Sequence, residues 1–229
     1  MAPSISQGNG ESIELILIRH GETDWNVEKR VQGHLDIDLN AQGRRQAAAL
    51  GDALRHQEFD AIVSSDLQRA SNTAKAIAAS HDIPITIDSG LRERCFGIFE
   101  GLLYDELESR HPADWRAWKT RDADHRFQPG TGDAETLNEF SARCLSSIAR
   151  ITQRGGSRIV VVAHGGVLEC LYRAATGTPI STMRDFSLLN ASINRLSWSD
   201  SRLTILSWSD VSHLSTLPST PVDTSVSII

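Results

Sequence analysis

The sequence predicts an α/β fold: a three-layer α/β/α sandwich with a mainly parallel sheet, an antiparallel edge strand and a short helical lid insertion. Three observations predict it. Short apolar runs alternate with longer segments whose apolar residues recur at helical spacing, the pattern of a parallel sheet covered by helices on both faces. Two of the apolar runs stop at an identical His-Gly, His20-Gly21 and His164-Gly165. Towards the end of the chain, two alternating runs flank Ser199-Asp200-Ser201 and read as a hairpin, which brings antiparallel strands to the sheet.

Each element follows in order. Residues 13–18 (IELILI) form the first strand, cut off at Arg19-His20-Gly21-Glu22. Residues 41–56 are Ala-rich with apolar positions at helical spacing, and Asn40 is the expected N-cap. Residues 59–64 give the second strand, a helix covers 66–80, and residues 85–87, just after Pro84, give the third strand. From 101 to 133 the rhythm breaks: Trp115, Trp118, several charges and then Pro129-Gly130-Thr131-Gly132 mark a helical excursion that ends in a loop. A long helix spans 134–154, strand 158–163 runs into His164-Gly165-Gly166, and another helix ends near Thr176. The hairpin strands are 193–198 and 203–208. Residues 1–12 are polar and 211–229 are rich in Ser, Thr and Pro, so both are expected to be flexible, leaving 13–210 as one domain.

Composition narrows the class. Of 229 residues, 40% are apolar and 23% charged, which is ordinary for a chain that buries one core. No apolar run approaches the roughly 18 to 20 residues of a membrane span. The first dozen residues lack the basic and apolar regions of a secretory signal, so a cytoplasmic location without a membrane partner is expected. Cys95, Cys144 and Cys170 are odd in number and far apart, which argues against a disulfide framework or a zinc site. A net charge of −6 with no basic arm argues against nucleic acid. A small anionic ligand stays compatible, because Arg and His converging in a cleft focus a positive field.

Ligands of open parallel sheets bind beyond the carboxyl ends of the strands, and one edge would hold both His-Gly turns. Phosphoryl transfer without a metal needs a neutral imidazole for in-line attack, cationic donors for the equatorial oxygens and an acid for the leaving oxygen. Arg19 and His20 end the first strand. Arg69 falls in the first turn of a helix, where a cation opposes the helix dipole unless an anion binds there. His164 precedes two glycines that permit close backbone approach. Glu93 lies in Leu91-Arg92-Glu93-Arg94. Taken singly, each also has a bland reading: a solvent-facing strand end, a surface arginine, a buried histidine bonded to a carbonyl, a solvated carboxylate.

Together the segments resemble the histidine phosphatase superfamily, the phosphoglycerate mutase-like proteins, from Leu15 to about Trp208. The resemblance rests on Leu17-Ile18-Arg19-His20-Gly21-Glu22-Thr23-Asp24-Trp25-Asn26, which reproduces the family signature. Gln32-Gly33-His34, Ser64-Ser65-Asp66-Leu67-Gln68-Arg69-Ala70, Leu91-Arg92-Glu93-Arg94-Cys95-Phe96-Gly97-Ile98-Phe99-Glu100-Gly101 and Val162-Ala163-His164-Gly165-Gly166 follow in the family's order. It implies that His20 forms a phosphohistidine. It further implies that Arg19, Arg69 and His164 bind the transferring group, helped by Asn26, by the Gln32-Gly33 loop and by Gly165, and that Glu93 is the proton donor. It also implies a 13–210 catalytic domain with 101–133 as its lid, no metal and no other cofactor. A homodimer is compatible with it, with no interface marked in the sequence.

The family divides between hydrolysis and phosphoryl shuttling. Three departures from the cofactor-dependent mutase pattern favour a phosphatase acting on a small phosphorylated metabolite: Arg94-Cys95-Phe96-Gly97 after Glu93, Gly165-Gly166 after His164, and a lid of only roughly 30 residues after Gly101 that leaves water near the phosphohistidine. A phosphoglycerate mutase, with 2,3-bisphosphoglycerate as its cofactor, is the alternative, and an inactive phospho-ligand-binding module is the second. Substrate choice is expected in 101–133, where Trp115 and Trp118 can share a helical face and Arg116, Lys119, Arg121 and Arg126 can meet a second acidic group. Glu22 is read as tuning the pocket or capping its loop, and His34 as a substrate contact or a bystander.

Overall fold

The computed structural model describes residues 12–217. Six strands form one sheet in the order β3-β2-β4-β1-β5-β6. The strands are β1 (Ile13–Arg19), β2 (Ala61–Ser64), β3 (Ile85–Ile87), β4 (Arg158–Ala163), β5 (Ile193–Ser199) and β6 (Arg202–Asp210). The first four run parallel, whereas β5 is antiparallel to β1 and β6 to β5. The expected hairpin therefore closes one edge of an otherwise parallel sheet.

Strands β1 and β4 are apolar from Leu15 to Ile18 and from Ile159 to Ala163, because there both faces of the sheet are covered. Leu15, Leu17, Ile159 and Val161 pack on one face with helices α6 (Leu137–Thr152) and α7 (Gly165–Thr176). Ile16, Ile18, Val160 and Val162 pack on the other with α2 (Ala41–Leu54) and α3 (Gln68–Ala78). The period-two alternation of side chains thus splits one apolar run between two cores.

Helix starts follow from local chemistry. The Asn40 side chain accepts the Gly43 N–H, as an N-cap should. Helix α6 starts at Leu137, three residues later than the sequence reading places it, because Thr136 and Glu139 form a capping box that fixes the boundary. A four-residue helix α1 (Asp24–Val27), capped by Thr23 and Asn26 in the same reciprocal way, follows the first strand and has no apolar periodicity to announce it.

Residues 101–133 fold as a 3-10 turn (Tyr104–Glu106) and the short helices α4 (Leu107–Arg110) and α5 (Pro112–Lys119), followed by a loop. They build a small satellite core in which Phe99, Leu107, Trp118 and Phe127 pack with Val31. After β6 the chain makes a 3-10 turn at Ser212–Leu214, with Leu214 packed against the core on the α2 face. The remainder of the segments expected to be flexible, 1–11 and 218–229, lies outside the described residues.

Candidate active site

Parallel register assembles the site. Arg19 of β1 pairs with Ala163 of β4, so the residues that follow, His20 and His164, leave the sheet side by side with ring centroids 5.2 Å apart. The backbone that carries them is pinned: His20 N–H donates to the Ala163 carbonyl (3.0 Å), Asn190 Nδ2 to the His20 carbonyl (3.0 Å) and Gly21 N–H to Thr73 Oγ1 (3.1 Å). A cavity beyond this edge is lined by Arg19, His20, Asn26, Gln32, Gly33, Arg69, Glu93 and Gly165. His164 stands behind His20, fully buried, rather than on the cavity wall.

Hydrogen bonds fix how the imidazoles present their nitrogens. His20 Nδ1 lies 2.7 Å from the Gly21 carbonyl, which can only accept, so Nδ1 carries the proton and Nε2 keeps its lone pair. Burial, reinforced by the charges of Arg69 and Arg19, holds the His20 pKa well below its ordinary value. His164 bonds Ser65 Oγ through Nε2 at 2.9 Å, and burial with the charge of Arg69 likewise lowers its pKa.

Arg69 is 1% exposed. Its guanidinium donates to the carbonyls of Leu35 (2.9 Å) and Gly33 (2.8 Å), while Nε has no hydrogen-bond partner among the described residues. Burial lowers its pKa to about 10, the negative charge of Glu93 opposing, so it stays a cation near neutral pH. Gly33 has φ +53° and its missing side chain leaves room for the Glu100 carboxylate, which bonds His34 N–H at 2.9 Å and Phe96 N–H at 2.9 Å. Arg19 donates to the Leu188 carbonyl, and Asn26 Oδ1 accepts from Thr23 N–H and its hydroxyl.

The Glu93 carboxylate accepts Arg94 N–H (2.8 Å) and, through Oε2, Gly166 N–H at the start of α7 (3.0 Å). Each carboxyl oxygen keeps a further lone pair, and the residue lines the cavity. A side chain at Gly166 would come within 2.2 Å of Glu93 Oε1, so the glycine is what lets the acid approach the helix end.

The same cavity continues along α7, past Gly166, Glu169 and Cys170, to the insertion. Arg94, Arg121 and Arg184 line it with Tyr104, Trp118 and Phe127. The Arg94 guanidinium lies 4.5 Å over the Phe127 ring, Nε donates to the Glu135 carbonyl (2.9 Å), and Nη2 is buried without a hydrogen-bond partner among the described residues. Arg121 and Arg173 both bond the buried Glu169 carboxylate, at 2.6 and 2.8 Å. Nothing local in the sequence marks Arg94, since a loop position carries no periodic signal. Glu169 was detectable: it lies one helical turn beyond Gly166 and so shares its face.

The insertion differs in detail from its expected use. Trp118 and Arg121 line the cavity, whereas Trp115 packs on the outside of α5 against Trp118 and under Lys119 Nζ (5.4 Å), and Arg116 is exposed. Arg126 ties the Ala134 carbonyl and the Glu139 carboxylate together on the exterior. Helical spacing of three brings the two tryptophans into contact but puts only one on the cavity side. Glu22 ties its own loop, accepting from Asn40 Nδ2 at 2.9 Å, and His34 Nε2 bonds the Glu93 carbonyl at 2.8 Å. Neither lines the cavity.

The chain is similar to known proteins over most of its length. The sequence profile of the histidine phosphatase superfamily (branch 1) matches residues 15–211. Phosphoglycerate mutase-like protein 4 of Arabidopsis thaliana is 40% identical over 205 residues, covering 88% of this chain and 86% of that one. The metal-independent phosphoserine phosphatase of the same plant is 38% identical over 210 residues, covering 90% and 85%. The structure of the alpha-ribazole phosphatase from Shigella flexneri superposes with a TM-score of 0.76 at 30% identity, covering 86% of this chain and 96% of that one.

Proposed function

The chain belongs to the histidine phosphatase superfamily, and from that premise we propose that this enzyme is a metal-independent phosphomonoester hydrolase working through a phosphohistidine at His20. The observation that carries the reading is the β1–β4 register, which brings a neutral imidazole with a free Nε2 lone pair beside buried guanidinium groups of Arg19 and Arg69.

The chemistry divides into two steps. His20 Nε2 attacks phosphorus, the bond to the ester oxygen breaks, and Glu93 gives its proton to the departing oxygen. Arg19 and Arg69 stabilise the equatorial oxygens, with Asn26, the Gln32-Gly33 loop and Gly165 around them, and His164 supports the His20 ring from behind, reaching the phosphoryl group only if the side chains shift on binding. A water then attacks the phosphohistidine, Glu93 takes its proton, and inorganic phosphate leaves with His20 restored. No step calls for a metal or another cofactor. Two of the similar proteins are named as phosphatases, which favours water over a sugar-acid hydroxyl as the acceptor.

The far end of the cavity supports a substrate class. Among the described residues the buried Arg94 Nη2 has no hydrogen-bond partner, and Arg121 and Arg184 line the same cavity, which favours a small phosphorylated metabolite whose leaving group carries an acidic function.

Incubation with p-nitrophenyl phosphate in EDTA tests the reaction. Phosphate release that resists the chelator and disappears in His20→Ala is the expected result, and a strict requirement for added metal would overturn it. A phosphometabolite panel containing 3-phosphoglycerate, with and without 2,3-bisphosphoglycerate, separates the outcomes of transfer. Rapid isomerisation without phosphate release would establish the mutase alternative instead.

A further inference from the structure

We propose that Arg143 of α6 is a positioning residue for the proton donor: with Glu135 it clamps the backbone of residues 90–95 and so holds the Glu93 carboxyl on the cavity wall. The inference rests on the phosphatase reading above.

Glu93 belongs to a stretch between two 3-10 turns, Ser89–Leu91 and Gly97–Phe99, that has neither a helix nor a strand ladder to satisfy its carbonyls. Arg143 supplies the missing donors. Its Nη1 donates to the carbonyls of Gly90 (2.9 Å) and Arg92 (3.0 Å), and its Nη2 to that of Glu93 (3.1 Å). The same guanidinium makes a bidentate pair with Glu135, Nε to Oε1 at 2.7 Å and Nη2 to Oε2 at 2.6 Å.

Glu135 carries the clamp to the other side of the loop. Its Oε2 accepts Cys95 N–H (2.9 Å), its carbonyl accepts Arg94 Nε (2.9 Å), and its N–H donates to the Cys95 carbonyl (3.0 Å). His34 Nε2 adds a second bond to the Glu93 carbonyl at 2.8 Å. Neither Arg143 nor Glu135 lines the cavity, so any effect on the reaction passes through residues they hold, and the three carbonyl bonds of Arg143 fall on the Glu93 loop. Only a planar fork of donors can span three carbonyls and a carboxylate together; a lysine ammonium, a point donor, cannot. A proton donor works within a narrow range of positions, which is what such a clamp provides.

The test uses the leaving group. A proton donor matters most when the departing oxygen is basic and least when it leaves readily as an anion. In Arg143→Lys, kcat/KM for phenyl phosphate should fall about ten- to a hundredfold, while that for p-nitrophenyl phosphate stays within about threefold of wild type. Arg143→Lys keeps a charge against Glu135. His34→Gln removes the second bond without touching that ion pair, and should steepen the same leaving-group dependence by a smaller factor. An equal loss on both esters, or no loss on either, would overturn the positioning role. Failure of the wild-type enzyme to cleave either ester would instead overturn the phosphatase reading beneath it.

Discussion

At the scale of single residues, the site depends on keeping imidazoles neutral among cations. His20 and His164 are buried beside Arg69, and their pKa values lie well below the ordinary 6.5. The unfolded chain therefore binds more protons than the folded one between those lowered values and pH 6.5. Stability rises with pH through that window, is complete above 6.5, and is lost as pH falls, at about 1.4 kcal/mol per pH unit for each ring that titrates only on unfolding. Thermal unfolding followed from pH 7 to 5 should show Tm falling below 6.5, with a shallower fall in His20→Asn. Identical slopes in the two proteins would show that the His20 ring does not contribute. The same lowered pKa puts the acid limb of kcat/KM below pH 6.5, where loss of the neutral nucleophile begins.

At the scale of elements, the start of α7 controls the acid. Gly165 and Gly166 differ in what a side chain would meet: a Cβ at Gly165 makes an ordinary 3.5 Å contact with Arg19 Nε, whereas one at Gly166 falls 2.2 Å from Glu93 Oε1 and 2.9 Å from the Phe140 ring. The Glu93 carboxylate can swing away, so Gly166→Ala should cost only about 1–2 kcal/mol of stability. It should nevertheless lower kcat/KM on phenyl phosphate by about a hundredfold, in line with the contribution of a placed acid. Glu93→Gln, which removes the proton without adding bulk, should lose as much on that ester, and steady-state kinetics with both proteins decides the matter. The boundary of α6 is likewise local: removing the Thr136 cap by Thr136→Ala should cost about 1 kcal/mol in denaturant unfolding, with little change in the leaving-group dependence.

At the scale of the whole molecule, two cores and an insertion make one cavity. The sheet edge supplies the phosphoryl end, and the satellite core of Phe99, Leu107, Trp118 and Phe127 holds the other wall in place. That wall is where substrate choice is expected. Phosphoserine and phosphoethanolamine differ by a carboxylate, so the ratio of their kcat/KM values measures recognition of an acidic function. Arg94→Gln should reduce that ratio by about tenfold or more, the size of a lost charge-assisted hydrogen bond. A ratio unchanged by the substitution would remove Arg94 from substrate recognition.

The sequence by itself determined the layers and the edge at which the site forms. The apolar run at 13–18, the run at 158–163 and the His-Gly after each were enough, because a strand buried on both faces must be apolar throughout and a parallel sheet gathers its strand ends on one side. Asn40, Arg69 and the hairpin were legible for similarly local reasons. Only the tertiary structure decided that Trp118 and not Trp115 faces the cavity, and that Arg94 stacks on Phe127. It alone brought Arg143 to three carbonyls of the Glu93 loop. These are contacts between segments far apart in sequence, made by loops without a period, and no local pattern encodes which partner a long side chain reaches.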